Sequence, residues 1–217
     1  MSTKPLAQQV VPGANGAESS TAEDGAVRPR DSMFHWSGTV DAIGRASSPL
    51  EKSALLGAYF EAVAQETIAP AARYFAGRLF PPGDPRTIEV DPSLVSGAIQ
   101  DLTRIAPEAF RSRYEADGDL GDIAAEAFAG RLPSGIAVVD VEAWAETLAN
   151  ASTPDESRVL VREMLARLSA LEARYLVNLI GGELRIGLTE SQIEAAVASR
   201  SSNRNGSRRP AGGGRAR

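Results

Sequence analysis

The sequence predicts an all-α fold, a multi-helix bundle with about eight or more helices and a disordered tail at each end. Apolar residues recur at helical spacing through most of the middle of the chain, for example between Leu94 and Ala106. Helix-start signals precede these segments, and Gly/Pro clusters separate them. The strand-like patch Thr87–Val90 is too short to build a sheet.

The predicted helix starts combine a side-chain acceptor with a proline or with a second polar residue. Asp91 precedes Pro92, so its carboxylate can cap backbone N–H groups that have no partner inside the helix. In a capping box, the cap residue and a residue three positions later satisfy each other's backbone N–H groups. Three such boxes are predicted, Ser48 with Glu51, Thr153 with Glu156, and Thr189 with Gln192.

The helical pattern continues through the C-terminal half. Val141–Leu148 presents one apolar helix face. A longer apolar stripe runs from Leu160 to Ile180, and we expect it to be two helices that meet near Ser169. Turn residues predict breaks between helices at 81–85, 133–135 and 181–182.

Composition divides the chain into a body and two tails. Residues 1–30 contain no aromatic residue and are rich in Ser, Ala, Gly, Glu and Pro, so they cannot bury enough apolar surface to fold. Residues 200–217 are a low-complexity, Arg/Gly-rich segment. The predicted ordered domain is therefore 31–199, and a disordered segment is expected on each side of it.

Several classes of protein are excluded by the same composition. The chain has no cysteine and one histidine, His35, which excludes disulfides, thiolate metal sites and multi-histidine centres. No apolar run approaches the roughly 20 residues of a membrane span. Residues 1–30 lack the apolar core of a signal peptide. We therefore expect a cytoplasmic protein that has no membrane contact and acts as a monomer.

No constellation of residues indicates catalysis. A Ser-His-Asp triad would have to use His35, which lies beside the N-terminal arm and is better interpreted as a helix-start residue. Neither Lys4 nor Lys52 follows a glycine-rich loop, so there is no P-loop. The acidic stretch Glu115–Asp122 could hold Mg²⁺, but a solvated loop and helix N-terminus is the favoured interpretation. We expect no catalytic residue and no metal site.

Charge is unevenly distributed along the chain. Residues 31–199 contain 25 acidic and 14 basic residues, a net charge of −11, whereas 200–217 contain six arginines and no acid. Because affinity for duplex DNA comes largely from phosphate neutralisation, DNA binding requires the basic residues of the body to gather on one face. The acidic body favours the alternative of a non-catalytic helical scaffold that binds a protein partner.

The segment between the last two predicted helices has the most specific pattern in the chain. Gly181 and Gly182 end one helix, and a short hairpin follows. Gly187 allows a second turn, and Thr189 opens the last helix. This geometry exposes backbone N–H groups, which bind phosphate oxygens without reading bases. Arg185 adds a positive charge, although a plain connector between helices would contain the same elements.

This segment also carries a family resemblance. Glu172-Ala-Arg-Tyr-Leu176 followed by Gly182-Glu-Leu-Arg-Ile-Gly-Leu188 strongly resembles the end of the N-terminal domain of ATP-dependent DNA ligases. Other stretches are similar to that domain in the expected order, so the resemblance covers 31–199: the opening helix pair at Phe34–Leu56, a Gly-Asp-hydrophobic-Gly turn at Gly118–Gly121, and two helices at Val138–Leu148 and Ser157–Leu168.

The resemblance implies a helical bundle that grips nicked duplex DNA through the minor groove during repair, replication or recombination. Its contacts are expected largely at the backbone, as suits a protein that acts at any sequence. The implied DNA-facing positions belong to two turns, Gly118 and Gly121 in the first and Gly181, Gly182, Arg185, Gly187 and Thr189 in the second.

The chain departs from the family pattern at the catalytic motif. Members continue into an adenylation domain, where the lysine of a Lys-x-Asp-Gly motif takes AMP from ATP, and neither Lys4 nor Lys52 fits that motif. ATP and Mg²⁺ are therefore expected only if ligase catalytic domains are supplied elsewhere, in trans. The pattern suits a truncated or frameshifted ligase or a stand-alone DNA-binding protein, and the scaffold with a vestigial resemblance stays as the alternative.

Overall fold

The computed structural model describes residues 29–84, 91–182 and 184–206. Within these ranges a 3-10 turn at Pro29–Asp31 is followed by ten α-helices and no strand, which confirms the predicted all-α class. The predicted arm up to residue 28, the patch Thr87–Val90 and residues 207–217 lie outside the described residues. In chain order the helices are α1 Met33–Arg45, α2 Pro49–Ala62, α3 Gln65–Phe75, α4 Pro92–Thr103, α5 Pro107–Asp117, α6 Leu120–Ala127, α7 Val138–Ala149, α8 Pro154–Arg167, α9 Ala170–Ile180 and α10 Glu190–Gly206.

The helix starts follow the predicted capping chemistry. The predicted junction near Ser169 is confirmed, since α8 ends at Arg167 and α9 begins at Ala170. Three of the predicted caps hold the backbone of the next turn: the hydroxyl of Ser48 accepts from Glu51 N at 3.1 Å, that of Thr153 from Glu156 N at 3.2 Å, and the carboxylate of Asp91 from Ser93 N at 2.7 Å.

The core is built from helix pairs that are distant in sequence. α1 packs against both α2 and α9, α9 packs on α6, and α10 lies along α2 and α3. The α3–α7 and α4–α8 pairs complete the bundle. Aromatic rings from the first three helices meet in edge and tilted contacts with centroids 5.1–5.9 Å apart, a favourable geometry for aromatic pairs. The rings are those of Trp36, Tyr59, Phe60, Tyr74 and Phe75.

Helix α10 extends past the predicted end of the ordered domain. It continues beyond residue 199 to Gly206, so the first residues of the low-complexity segment are helical. The Arg200 side chain is only 2% exposed, and its guanidinium donates to the Phe60 carbonyl near the end of α2. Composition could not predict this, because the contact that fixes the helix joins residues far apart in sequence.

Candidate nucleic-acid interface

The predicted DNA-facing segment is the α9–α10 loop, residues 181–189. The predicted hairpin is wrong for its described part, because 184–189 form no strand. Arg185 and Gly187 have φ angles of +47° and +64°, and such left-handed residues interrupt extended backbone. The segment is therefore an irregular loop that leads into the N-terminus of α10.

Burial alternates along this loop. Leu184 and Ile186 are 7% and 6% exposed, and they anchor the loop in the core. Arg185, Gly187 and Thr189 are exposed, so one side of the loop consists of backbone, a hydroxyl and a guanidinium. All five residues predicted here share this exposed side: Gly181, Gly182, Arg185, Gly187 and Thr189.

The left-handed cap of α9 lies one residue later than the first glycine. Gly181 has a right-handed conformation, with φ −73°, and its N–H still donates to the Val177 carbonyl at 3.0 Å. Gly182 has φ +70°, and its N–H donates to the Leu179 carbonyl at 3.1 Å. The predicted helix end at these two glycines is therefore confirmed, and the glycine that takes the left-handed conformation is Gly182.

The loop is held from α2 and from α10. The Lys52 ammonium donates to the Ile186 carbonyl at 2.7 Å. The predicted capping box at the start of α10 is confirmed: Thr189 N donates to Gln192 Oε1 at 3.0 Å, and Gln192 N donates to Thr189 Oγ1 at 3.3 Å. The Gln192 amide also reaches the Ser53 hydroxyl at 3.3 Å, which brings the N-termini of α2 and α10 together.

Sequence reasoning missed two cations beside this loop. Lys52 lies under it, and Arg78, after α3, forms an ion pair with Glu190 in the first turn of α10. The Arg78 and Glu190 side chains are 48% and 60% exposed, so their pairing adds little stability, but it offsets a carboxylate charge next to the loop. The sequence feature that could have singled out Lys52 is its residue type, because it is one of two lysines in a chain with 21 arginines.

The second predicted turn divides into one exposed and one buried glycine. Gly118 is exposed, has φ +67° and ends α5. Asp119 then caps α6 by accepting from Gly121 N at 2.7 Å. Gly121 itself is buried inside α6 against α9, so it is not part of an exposed loop as predicted. The absence of a side chain at Gly121 lets α6 and α9 approach each other. Gly118 is the exposed glycine of this turn.

The two turns border the same surface cleft. Gly118 and Gly181 both line a cleft of about 200 Å³ between α4, α5, α6 and α9. Tyr114, with 42% of its surface exposed, also lines it. The structure therefore brings together the two segments that the sequence placed about 60 residues apart.

The residues that the sequence offered for catalysis or metal binding make contacts that stabilise the fold. His35 stacks on Tyr59 with ring centroids 5.2 Å apart, and Asp122 pairs with Arg174 at 2.5 Å. Among the described residues, no group of three or more His, Asp or Glu side chains is placed to hold a metal ion. No helix in the described part of the chain is long and apolar enough to cross a membrane.

Comparison with known proteins assigns the fold to a family. The family model described as DNA ligase N terminus matches residues 33–198. A probable DNA ligase of Koribacter versatilis (strain Ellin345) is 33% identical over 162 residues, 74% of this chain and 28% of the relative. A probable DNA ligase of Opitutus terrae is 28% identical over 204 residues, covering 78% of this chain and 20% of the relative. DNA ligase 1 of Methanosarcina barkeri is 30% identical over 137 residues, covering 62% of this chain and 25% of the relative.

These matches define what part of a ligase the chain resembles. The chain spans less than a third of the length of each of these relatives. The family match contains all ten helices except the end of α10, and it includes both turns of the cleft. On this evidence the chain belongs to the family of DNA ligase N-terminal domains.

Proposed function

We propose that this domain binds duplex DNA through its sugar–phosphate backbone and holds it at a nick, as the N-terminal part of an ATP-dependent DNA ligase. The observation that carries the proposal is the exposed side of the α9–α10 loop, which is fixed by the buried anchors Leu184 and Ile186. The Arg185 guanidinium and the exposed main chain at Gly187 suit phosphate oxygens, which are the same at every sequence.

The shape of the surface supports contact with both turns. Because Gly118 and Gly181 border one cleft, a duplex laid across it can touch the two turns together. Glycine at both borders lets a phosphate approach the main chain closely. The N-terminus of α10 adds the positive end of a helix dipole at one side of this surface.

Cations beside the loop support the proposal even though the body is acidic overall. Lys52, Arg78 and Arg185 lie in or beside the loop, and Glu190 is paired with Arg78. The net charge of −11 over residues 31–199 therefore coexists with cations around the proposed contact. Since such contacts release counterions, we expect the affinity to fall steeply with salt.

Fluorescence anisotropy of the full chain tests the proposal, with a nicked duplex compared with an intact duplex of the same sequence. We expect binding that prefers the nick and weakens between about 50 and 200 mM salt, with a log–log slope of about −0.9 for each phosphate contact. A chain that binds neither duplex at the lower salt contradicts the proposal and supports the scaffold that binds a protein partner.

The chemistry of sealing belongs, in this proposal, to an adenylation domain supplied elsewhere. The sequence contains no Lys-x-Asp-Gly motif, so ATP and Mg²⁺ would act on those catalytic domains and not on this one. Incubation of the 217-residue chain with labelled ATP is therefore expected to leave no AMP on the protein. A lysine-linked AMP adduct would contradict this assignment.

A further inference from the structure

Lys52 occupies an unusual place for a lysine. It lies in the first turn of α2, where the positive end of the helix dipole disfavours a cation. Its ammonium donates to the Ile186 carbonyl at 2.7 Å, across to the α9–α10 loop. Within the described residues this is the hydrogen bond that the ammonium makes, and two of its three N–H groups remain for another acceptor.

Gly187 leaves this ammonium accessible from the exposed side of the loop. A Cβ atom at position 187 would lie only 2.9 Å from Lys52 Nζ, so any side chain there would displace or cover the charge. Gly187 is exposed, and Lys52 is half-buried beneath it. The glycine therefore opens a gap in the loop at the point where the cation lies.

We infer that Lys52 is a further phosphate-binding residue of this interface, whose ammonium holds the Ile186 carbonyl and meets a DNA phosphodiester through the gap at Gly187. The inference rests on the proposed function. The converging N-termini of α2 and α10 add positive potential at the same place. A compact ammonium suits this gap better than the wider, planar guanidinium of the arginines found at the other Lys/Arg positions among the described residues.

Two substitutions separate the charge of Lys52 from its hydrogen bond. Lys52→Gln removes the charge and keeps an N–H donor for the Ile186 carbonyl, whereas Lys52→Met removes both. The matched control is Arg162→Gln, which removes one positive charge from an exposed position on α8. Binding of the full chain to the nicked duplex is measured by anisotropy across a salt series, and folding is checked by thermal melting.

We expect Lys52→Gln to melt like the wild type and to bind about tenfold more weakly near 100 mM salt, with a log–log slope shallower by about 0.9. Lys52→Met should lose at least as much affinity, and Arg162→Gln should stay within about twofold of the wild type.

Three results would overturn the inference, and they differ from one another. If Lys52→Gln binds with wild-type affinity and slope while Lys52→Met binds weakly, Lys52 only holds the loop and the proposed function stands. If Arg162→Gln weakens binding as much as Lys52→Gln, the effect is one of net charge. If the wild type binds no duplex, the proposed function and the inference both fail.

Discussion

Gly121 of α6 lies so close to Asn178 of α9 that a Cβ atom on the glycine would be 2.1 Å from Asn178 Oδ1. The same Cβ would be 2.7 Å from the Arg174 carbonyl oxygen, which belongs to the main chain and cannot easily move. Two helix backbones approach this closely only where one of them lacks a side chain. Gly121 thus sets the spacing of the helix pair that supports both borders of the cleft.

Gly121→Ala is therefore expected to lower the free energy of unfolding by about 1–3 kcal/mol, as overpacking of a core does. Urea unfolding measures it. The control is Gly57→Ala in α2, where an added Cβ meets no atom within 4 Å. That substitution should stabilise the protein by about 0.5–1 kcal/mol, because glycine weakens a helix interior. A loss at position 57 equal to that at position 121 would mean that close approach is not the cause.

Gly187 and Gly182 form a second matched pair. Both have positive φ angles, +64° and +70°, so alanine strains the backbone similarly at each. At position 182 an added Cβ meets no atom within 4 Å, whereas at position 187 it meets the Lys52 ammonium. We expect Gly187→Ala to weaken nicked-duplex binding several-fold more than Gly182→Ala, measured by anisotropy at equal salt. Equal losses of affinity would mean that backbone strain, and not the contact with Lys52, explains the whole effect.

Arg185 combines an exposed charge with an unfavourable backbone conformation, since its φ of +47° costs a non-glycine residue about 1 kcal/mol. Arg185→Gly should therefore keep the protein's stability while weakening duplex binding. Arg185→Ala should also weaken duplex binding, but it does not relieve the backbone strain. The loss should be similar for all DNA sequences, because phosphate contacts carry no sequence information. Anisotropy with several unrelated duplexes measures it, and a loss confined to one sequence would contradict backbone contact.

The sequence predicted the helices well because their signals are local. The caps at Ser48, Asp91 and Thr153 and the junction near Ser169 need only a few neighbouring residues, and each was found where expected. The resemblance of the α9–α10 loop to a family was also readable locally, and the family match over 33–198 confirms it.

Contacts between distant residues explain what was missed. Asp31 caps α3 from outside that helix, accepting from Ala64 N at 2.7 Å, and no local pattern announces such a contact. Lys52 and Ile186 are likewise far apart in the chain. Gly121 is buried by α9, which is distant in sequence. Its sequence neighbours predicted an exposed turn, whereas in the structure Gly121 lies in a helix that contacts another helix. Whether any predicted residue touches DNA stays a prediction.

Glu172, part of the recognised motif, has a structural role. Its carboxylate is fully buried and accepts from Ser169 N at 2.9 Å, from the Ser169 hydroxyl at 2.6 Å and from Ser134 N at 3.0 Å. Glu172→Ala leaves these buried donors unsatisfied and should cost about 3 kcal/mol or more. Urea unfolding measures the loss, and Glu163→Ala, at an exposed position of α8, should stay within about 0.5 kcal/mol. Similar stabilities for the two variants would contradict this role.

His35 gives the protein a pH dependence that can be assigned to one residue, because the chain has no other histidine. Burial against Tyr59, with a smaller contribution from Arg30, lowers the pKa of His35 below 6.5, and Asp31 opposes this in part. The Nε2 atom is buried without a partner among the described residues, so protonation gains no acceptor there. The neutral imidazole is therefore favoured in the folded state.

The sign of the effect follows from that preference. As the pH falls below 6.5, the unfolded chain takes up a proton before the folded one does, so stability declines until the pH reaches the lowered pKa. Proton NMR of the single imidazole should give a midpoint below 6.5. Urea unfolding at about pH 7.5 and about pH 5.5 should show a smaller decline for His35→Gln than for the wild type. Equal declines would assign the pH dependence to carboxylates. A midpoint at 6.5 would remove the predicted effect, and a midpoint above 6.5 would reverse its sign.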